Sequence, residues 1–236
     1  MRVTVPYDLI SIGAHPDDVE VGTGGVLIDL NEKGYRTGIV YLTRGEMGTG
    51  GTAEIRADEA LRAAEVLGSD LIETFDWGDC RLFDTYERRL KLAALIRQHR
   101  PRIILTPYPH VGHGRRQSHP DHVAAGQITI NAANYATLKK MPIEGQPHTV
   151  QRIFHYFLPP GMAPNFVVDI TDHFNRWLEA LKCHQSQFLN PAKSRDYMWS
   201  LESMARTFGT QAGCHYGQGF YNVEPIRIVD LFDLAK

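Results

Sequence analysis

The feature that most constrains this chain is a short polar turn, Ala14-His15-Pro16-Asp17-Asp18-Val19-Glu20, set directly after an apolar run. Leu9-Ile10-Ser11-Ile12-Gly13 reads as a buried strand, and Gly22-Thr23-Gly24-Gly25 opens a helical segment. A histidine and two adjacent carboxylates are therefore held on a strand-to-helix turn. Open α/β sheets place their ligands at such turns, outside the carboxyl ends of the strands.

The rest of the chain alternates strand-like and helical runs. The first helical segment carries apolar residues from Val26 onward, runs to Lys33 and stops at Gly34. Thr37–Leu42 reads as a second strand, and the glycine-rich loop Thr43–Gly51 leads to Thr52, an N-cap for a helix over Ala53–Leu67 with a stripe at Ile55, Ala60, Ala64 and Leu67. Leu71–Phe75 is a third strand, Glu87–His99 a helix, and Ile103–Thr106 a fourth strand, fully apolar as buried parallel strands are. A loop rich in proline and glycine then reaches His119-Pro120-Asp121-His122, where a helix begins and runs to about Ala136. Two more strands are expected at 153–157 and 166–170, a helix containing Phe174, Trp177 and Leu181, a final helix over 198–207, and a glycine-rich tail. Four strand–helix units in series argue a mostly parallel, doubly wound sheet with right-handed crossovers.

Composition narrows the function classes. The chain has 236 residues, enough to bury one α/β core, so residues 1–236 are expected to form a single domain. A formal net charge of -2 gives no reason to expect nucleic acid or an anionic membrane as partner. No apolar run approaches the ~20 residues of a membrane span, and the N-terminal residues lack the apolar stretch of a secretory signal. The three cysteines, Cys80, Cys183 and Cys214, are scattered and odd in number, which points away from a disulfide framework and toward a reducing cytoplasm.

The chemistry lies in the two histidine–carboxylate turns, at 15–18 and 119–122. If the first and fourth strands are neighbours, both turns meet at one sheet edge. A catalytic zinc needs three protein ligands and an open position. His15 and Asp18 are suited to supply two and His122 the third, which leaves Asp17 as a general base. Pro120 fits the first turn of a helix, displaying His119 and His122 from one N-terminus. A single turn of this kind is more often a helix cap, because aspartate favours helix N-termini without any ligand. Two matching turns favour a site, and a cation would relieve the repulsion between Asp17 and Asp18.

These two motifs together resemble the LmbE/PIG-L family of zinc-dependent N-acetylglucosamine deacetylases, over most of the chain. Leu42–Thr49 running into Glu54-Ile55-Arg56 resembles the bacillithiol-biosynthesis branch, as do Ser186-Gln187-Phe188 and Ala205–Gly209. The resemblance implies an α/β fold, a single Rossmann-like domain, and Zn2+ held by His15, Asp18 and His122, with Fe2+ the alternative cellular metal. It implies Asp17 as the base and a protonated His119 facing the scissile carbonyl, with the leaving amine receiving its proton from His119 or Asp17. Arg56 and Asp79 fall where the family contacts its sugar, and Tyr197 is a further pocket candidate. The family's arginine before the second motif is Ser118 here, with Arg115 and Arg116 upstream.

The implied reaction is hydrolysis of an N-acetylglucosamine conjugate, N-acetylglucosaminyl malate first among them, by a cytoplasmic homo-oligomer. Alternatives are another N-acetyl sugar (chitobiose-like, an antibiotic pseudoaglycone or a mycothiol-type conjugate) or a non-catalytic sugar- or nucleotide-binding module. The glycine-rich loop lacks the endings of a P-loop or dinucleotide fingerprint, so its glycines are expected to let backbone approach the sugar. His110 and His113 are expected at the rim, Arg56 near a substrate anion such as malate, and Phe174, Trp177 and Leu181 in the core or a subunit interface.

Overall fold

The computed structural model describes residues 5–110, 118–190, 196–230 and 232. Its centre is a parallel sheet of β1 (Leu9–Gly13), β2 (Thr37–Tyr41), β3 (Asp70–Thr74), β4 (Ile103–Pro107) and β5 (Arg152–Tyr156), in the order β3-β2-β1-β4-β5. The first four strands are followed by α1 (Asp18–Glu32), α2 (Ala53–Leu67), α3 (Tyr86–His99) and α4 (Pro120–Thr137). After β5 come β6 (Phe166–Asp169), α5 (Phe174–Cys183), α6 (Gln185–Phe188), α7 (Tyr197–Ala212) and β7 (Gly217–Phe220), with β6 and β7 antiparallel.

Successive strand residues point to opposite faces, and both faces are covered. Leu9, Ile39, Tyr41 and Leu105 join Leu27, Leu67, Trp177 and Leu201 in one core. Ile10, Ile12, Val40 and Ile104 join Leu92, Ile96 and Ile128 in the other. Phe174, Trp177 and Leu181 are thus core residues of the first layer.

The strand order reverses between β1 and β4, which pair directly with Leu9 opposite Ile103. Such a reversal opens a crevice at the carboxyl ends of the two strands, because their crossovers leave on opposite faces. The condition set by the sequence is therefore met, and the His15 turn and the His119 turn are neighbours.

Several boundaries differ from expectation. The first helix starts at Asp18, inside the motif, because packing holds its glycine-rich first turns: a Cβ at Gly24 would meet Trp177 and one at Gly25 would meet Ile170. Ile55 is 47% exposed, so the buried stripe of α2 is Arg56, Ala60, Ala63, Ala64 and Leu67 instead. The last helix spans Tyr197–Ala212, and the glycine-rich tail contains the buried strand β7.

The position of α4 depends on Gly126, one turn beyond His122 on the same helix face. A Cβ there would be driven into the Pro107 carbonyl oxygen and would lie 3.0 Å from Pro109 Cα, both of them backbone atoms that give way only if the helix moves. Gly126→Ala is expected to lower thermal stability by about 1–3 kcal/mol, against a helix-propensity gain of up to ~1 kcal/mol. A calorimetric Tm equal to or above that of the parent would show that α4 lifts off β4 without cost.

Candidate active site and metal centre

His15 leaves the end of β1 and is buried among carboxylates. Its Nδ1 lies 3.4 Å from Asp18 Oδ2. Its Nε2 lies 3.1 Å from Asp79 Oδ1 and 3.2 Å from Asp121 Oδ2. From the neighbouring turn, His122 Nε2 approaches Asp18 Oδ1 at 3.0 Å. The rings of His15, His119 and His122 have centroids 4.9 to 5.5 Å apart. Nitrogens of these three histidines lie within 4.8 Å of one another, and so do ligand atoms of His15, Asp79 and Asp121.

Electrostatics follow from that crowding. Burial alone would lower the His15 imidazole, but Asp18, Asp121 and Asp79 overcome it and push the group up to about 12. Burial would raise Asp18, yet His122 and His15 hold its carboxyl well below the usual carboxylate range. This is a site built for positive charge, with imidazole and carboxylate donors suited to a divalent metal.

The two carboxylates on His15 Nε2 are already satisfied elsewhere. Asp121 accepts from the Cys80 N–H at 2.7 Å and the Leu82 N–H at 3.4 Å, and Asp79 accepts from the Met47 N–H at 2.9 Å. They clamp one imidazole nitrogen and leave Nδ1 to face Asp18. Carboxylates in this outer position orient metal-ligating histidines. Asp121 had no role assigned from sequence, although its place between His119 and His122 was the available signal. Asp79, expected at the substrate, lines the cleft but is 4% exposed and serves His15 and the loop at Met47.

Asp17 sits on strained backbone at the N-terminus of α1. Its φ is +116°, a strained value for a residue with a side chain. Arg56 holds the turn, donating to the Pro16 carbonyl at 2.6 Å and to Asp17 Oδ1 at 3.3 Å, and to the Gly45 carbonyl at 2.8 Å. The residue is 4% exposed, and Nη1 and Nη2 make these bonds while Nε finds no partner among the described residues. The loop glycines serve this packing. Gly45 has φ +66° and a Cβ there would strike the Arg56 guanidinium. Burial, then the neighbouring Asp18, raises Asp17 to about 6, with Arg56 pulling the other way. That is close to where a general base is most effective.

His119 caps α4, its Nδ1 accepting from the Asp121 N–H at 3.3 Å. An accepting Nδ1 places the ring proton on Nε2, the tautomer that donates toward the cleft. Burial, with His15 and His122 nearby, lowers this imidazole below its ordinary value. Tyr197, at the start of α7, and Gln187 complete the cleft. His110 is exposed against Tyr108 and joins no metal-ligand group among the described residues, whereas His113, Arg115 and Arg116 lie outside them.

Behind Asp17 lies a buried pair that sequence reading missed. Glu20 and His184 are both fully buried, with His184 Nε2 3.3 Å from Glu20 Oε1, and Tyr41 donates to the same oxygen at 2.6 Å. The available signal was Glu20 itself, a carboxylate on the core side of α1. If Asp121 clamps His15, Asp121→Asn weakens Zn2+ binding about 10–100-fold in a chelator competition. Unchanged affinity would reduce Asp121 to a helix-terminus carboxylate.

Comparison with known proteins gives the same site a lineage. A sequence model of the PIG-L family, described as GlcNAc-PI de-N-acetylase, matches residues 10–133, which include both motifs. The chain is 33% identical to the diacetylchitobiose deacetylase of Thermococcus kodakarensis, over 92% of this chain and 85% of that one. It superposes on the conserved protein TT1542 of Thermus thermophilus with TM-score 0.84 and 37% identity, covering 95% and 98% of the two chains. It superposes on the N,N'-diacetylchitobiose deacetylase of Pyrococcus horikoshii with TM-score 0.80 and 29% identity, covering 96% and 88%. The chain belongs to the PIG-L family of deacetylases.

Proposed function

We propose that the chain is a metal-dependent hydrolase that removes acetate from an N-acetylglucosamine conjugate. The observation that carries this reading is the meeting of His15, Asp18 and His122 with Asp17 at the β1/β4 crevice, beside a polar cleft. His15 through Nδ1, Asp18 and His122 would hold Zn2+, with Fe2+ the cellular alternative. When bound, Zn2+ supplies Lewis acidity: it polarises a carbonyl and lets a water lose its proton near neutral pH.

Asp17 takes the proton of the attacking water, held in place by Arg56. His119 donates through Nε2 to the oxygen that gains charge, a contribution of about 3–4 kcal/mol for a well-placed donor. The clamp on His15 keeps the ligand ring from rotating as charge moves. A proton reaches the leaving nitrogen from Asp17, which has just gained one, or from His119.

The preferred substrate is N-acetylglucosaminyl malate of bacillithiol biosynthesis, supported by the resemblance of Leu42–Thr49 and Ser186-Gln187-Phe188 to that branch. A second reading, a diacetylchitobiose-like sugar, is favoured by the Thermococcus and Pyrococcus relatives. The cysteines are all free, in keeping with a reducing cytoplasm. Exposed Val229 and Phe232 near the C-terminus offer apolar surface for a homo-oligomer. No described helix is long and apolar enough to cross a membrane.

The test is a free-amine assay with metal content measured on the same sample. Asp17→Asn is expected to keep its Zn2+ and lose about 10²–10⁴ in kcat on the preferred conjugate. Full activity in that variant would remove Asp17 as the base. No turnover of either conjugate by metal-replete parent protein would overturn the assignment.

A further inference from the structure

We propose that the apolar cavity on the far side of His122 is an acyl-chain site, which makes this chain a hydrolase of N-acyl amino sugars with acyl groups longer than acetyl. The inference rests on the deacetylase reading above and extends it.

The site has two compartments. The polar cleft, about 340 Å³, contains Asp17, Arg56, Asp79, His119 and Tyr197. The second is a cavity of about 430 Å³ whose lining includes Val21, Phe157, Leu201, Met204 and Phe208. His122 lines both, and its ring stacks on Phe157 with centroids 4.7 Å apart. The start of the second motif divides them, because Ser118, just before it, lines the cavity and His119, its first residue, lines the cleft.

An amide reacting beside His122 must send its two substituents in different directions. The hydroxyl-rich sugar on nitrogen matches the cleft, whose lining includes the polar side chains of His119, Gln187 and Tyr197. The acyl group on carbon is left to the apolar compartment. An acetyl methyl is about the size of one water, whose share of liquid volume is about 30 Å³. At about 430 Å³ the cavity is far larger than that methyl requires. Its apolar walls give water few partners, so a hydrocarbon chain gains by replacing it.

The chemistry needs no additional reactant. Water oxygen bonds to the acyl carbon, the C–N bond breaks and nitrogen takes a proton, releasing a fatty acid and a free amine. Each methylene transferred into the cavity is expected to raise kcat/KM about fourfold, equivalent to ~0.8 kcal/mol, until the space is full.

The experiment compares N-acetyl, N-butyryl and N-hexanoyl forms of glucosaminyl malate and of chitobiosamine, using Zn2+-loaded protein and free-amine detection. The expected result is a kcat/KM that rises with chain length. Met204 is 40% exposed, so Met204→Trp adds bulk at the cavity with room to relax. It is expected to lower the hexanoyl-to-acetyl ratio by tenfold or more, a ratio that cancels any loss of folded enzyme. Acetyl turnover with every longer chain slower would overturn the acyl site and leave the deacetylase reading standing. No turnover of any member, acetyl included, would overturn both.

Discussion

Three buried carboxylates, Asp18, Asp79 and Asp121, crowd a single imidazole, and much of the architecture around the sheet edge exists to make that tolerable. Unpaired buried charge is far more costly than the marginal stability of a domain allows. Backbone donors therefore converge from several segments: Ala14 and His15 on Asp18, Met47 on Asp79, and Cys80 and Leu82 on Asp121. The loops after β1, β2 and β3 and the N-terminus of α4 are thereby tied to one point. A divalent cation held by His15, Asp18 and His122, as proposed above, would complete the balance.

The same logic extends one layer outward. Arg56 reaches from α2 to neutralise and hold Asp17, and the loop at Gly45 closes over its guanidinium. In turn α6 anchors that loop from the other side, with Gln187 donating to the Gly50 carbonyl at 2.6 Å. Ser186 bonds Glu59 of α2. The Asp17 turn and the loop at Gly45 are thus braced from α2 and α6. On the other side of His122 the walls are mostly apolar, so this histidine marks the boundary between a hydrogen-bonding half and an apolar half.

Much of this was legible in the sequence because the strands are short apolar runs and the turns carry unusual residue types. Two histidine–carboxylate turns predicted a shared site on one condition, the adjacency of β1 and β4, and the register of Leu9 with Ile103 meets it. What was hidden depends on tertiary contact. Gly217 and Gly219 carry no side-chain alternation, so β7 is visible only through its pairing with β6. The start of α1 runs through helix-poor glycines that Trp177 and Ile170 hold in place. Arg56 and Asp79 were recognisable as important residues, but only burial and bond direction show that they support Asp17 and His15. His184 left no spacing to read, and Asp121 and Glu20, though inside the two motifs, show their roles only through the partners they meet in the fold.

The most direct measurement is anomalous diffraction at the zinc edge from crystals of the Zn2+-loaded protein. A single strong peak within bonding distance of His15 Nδ1, Asp18 and His122 Nε2, with Asp79 and Asp121 uncoordinated, is the predicted result. The competing arrangement uses the other nitrogen of the same histidine. A peak ligated by His15 Nε2, Asp79 and Asp121, or no peak at this edge of the sheet, would contradict the assignment of the metal centre and of Asp17 beside it.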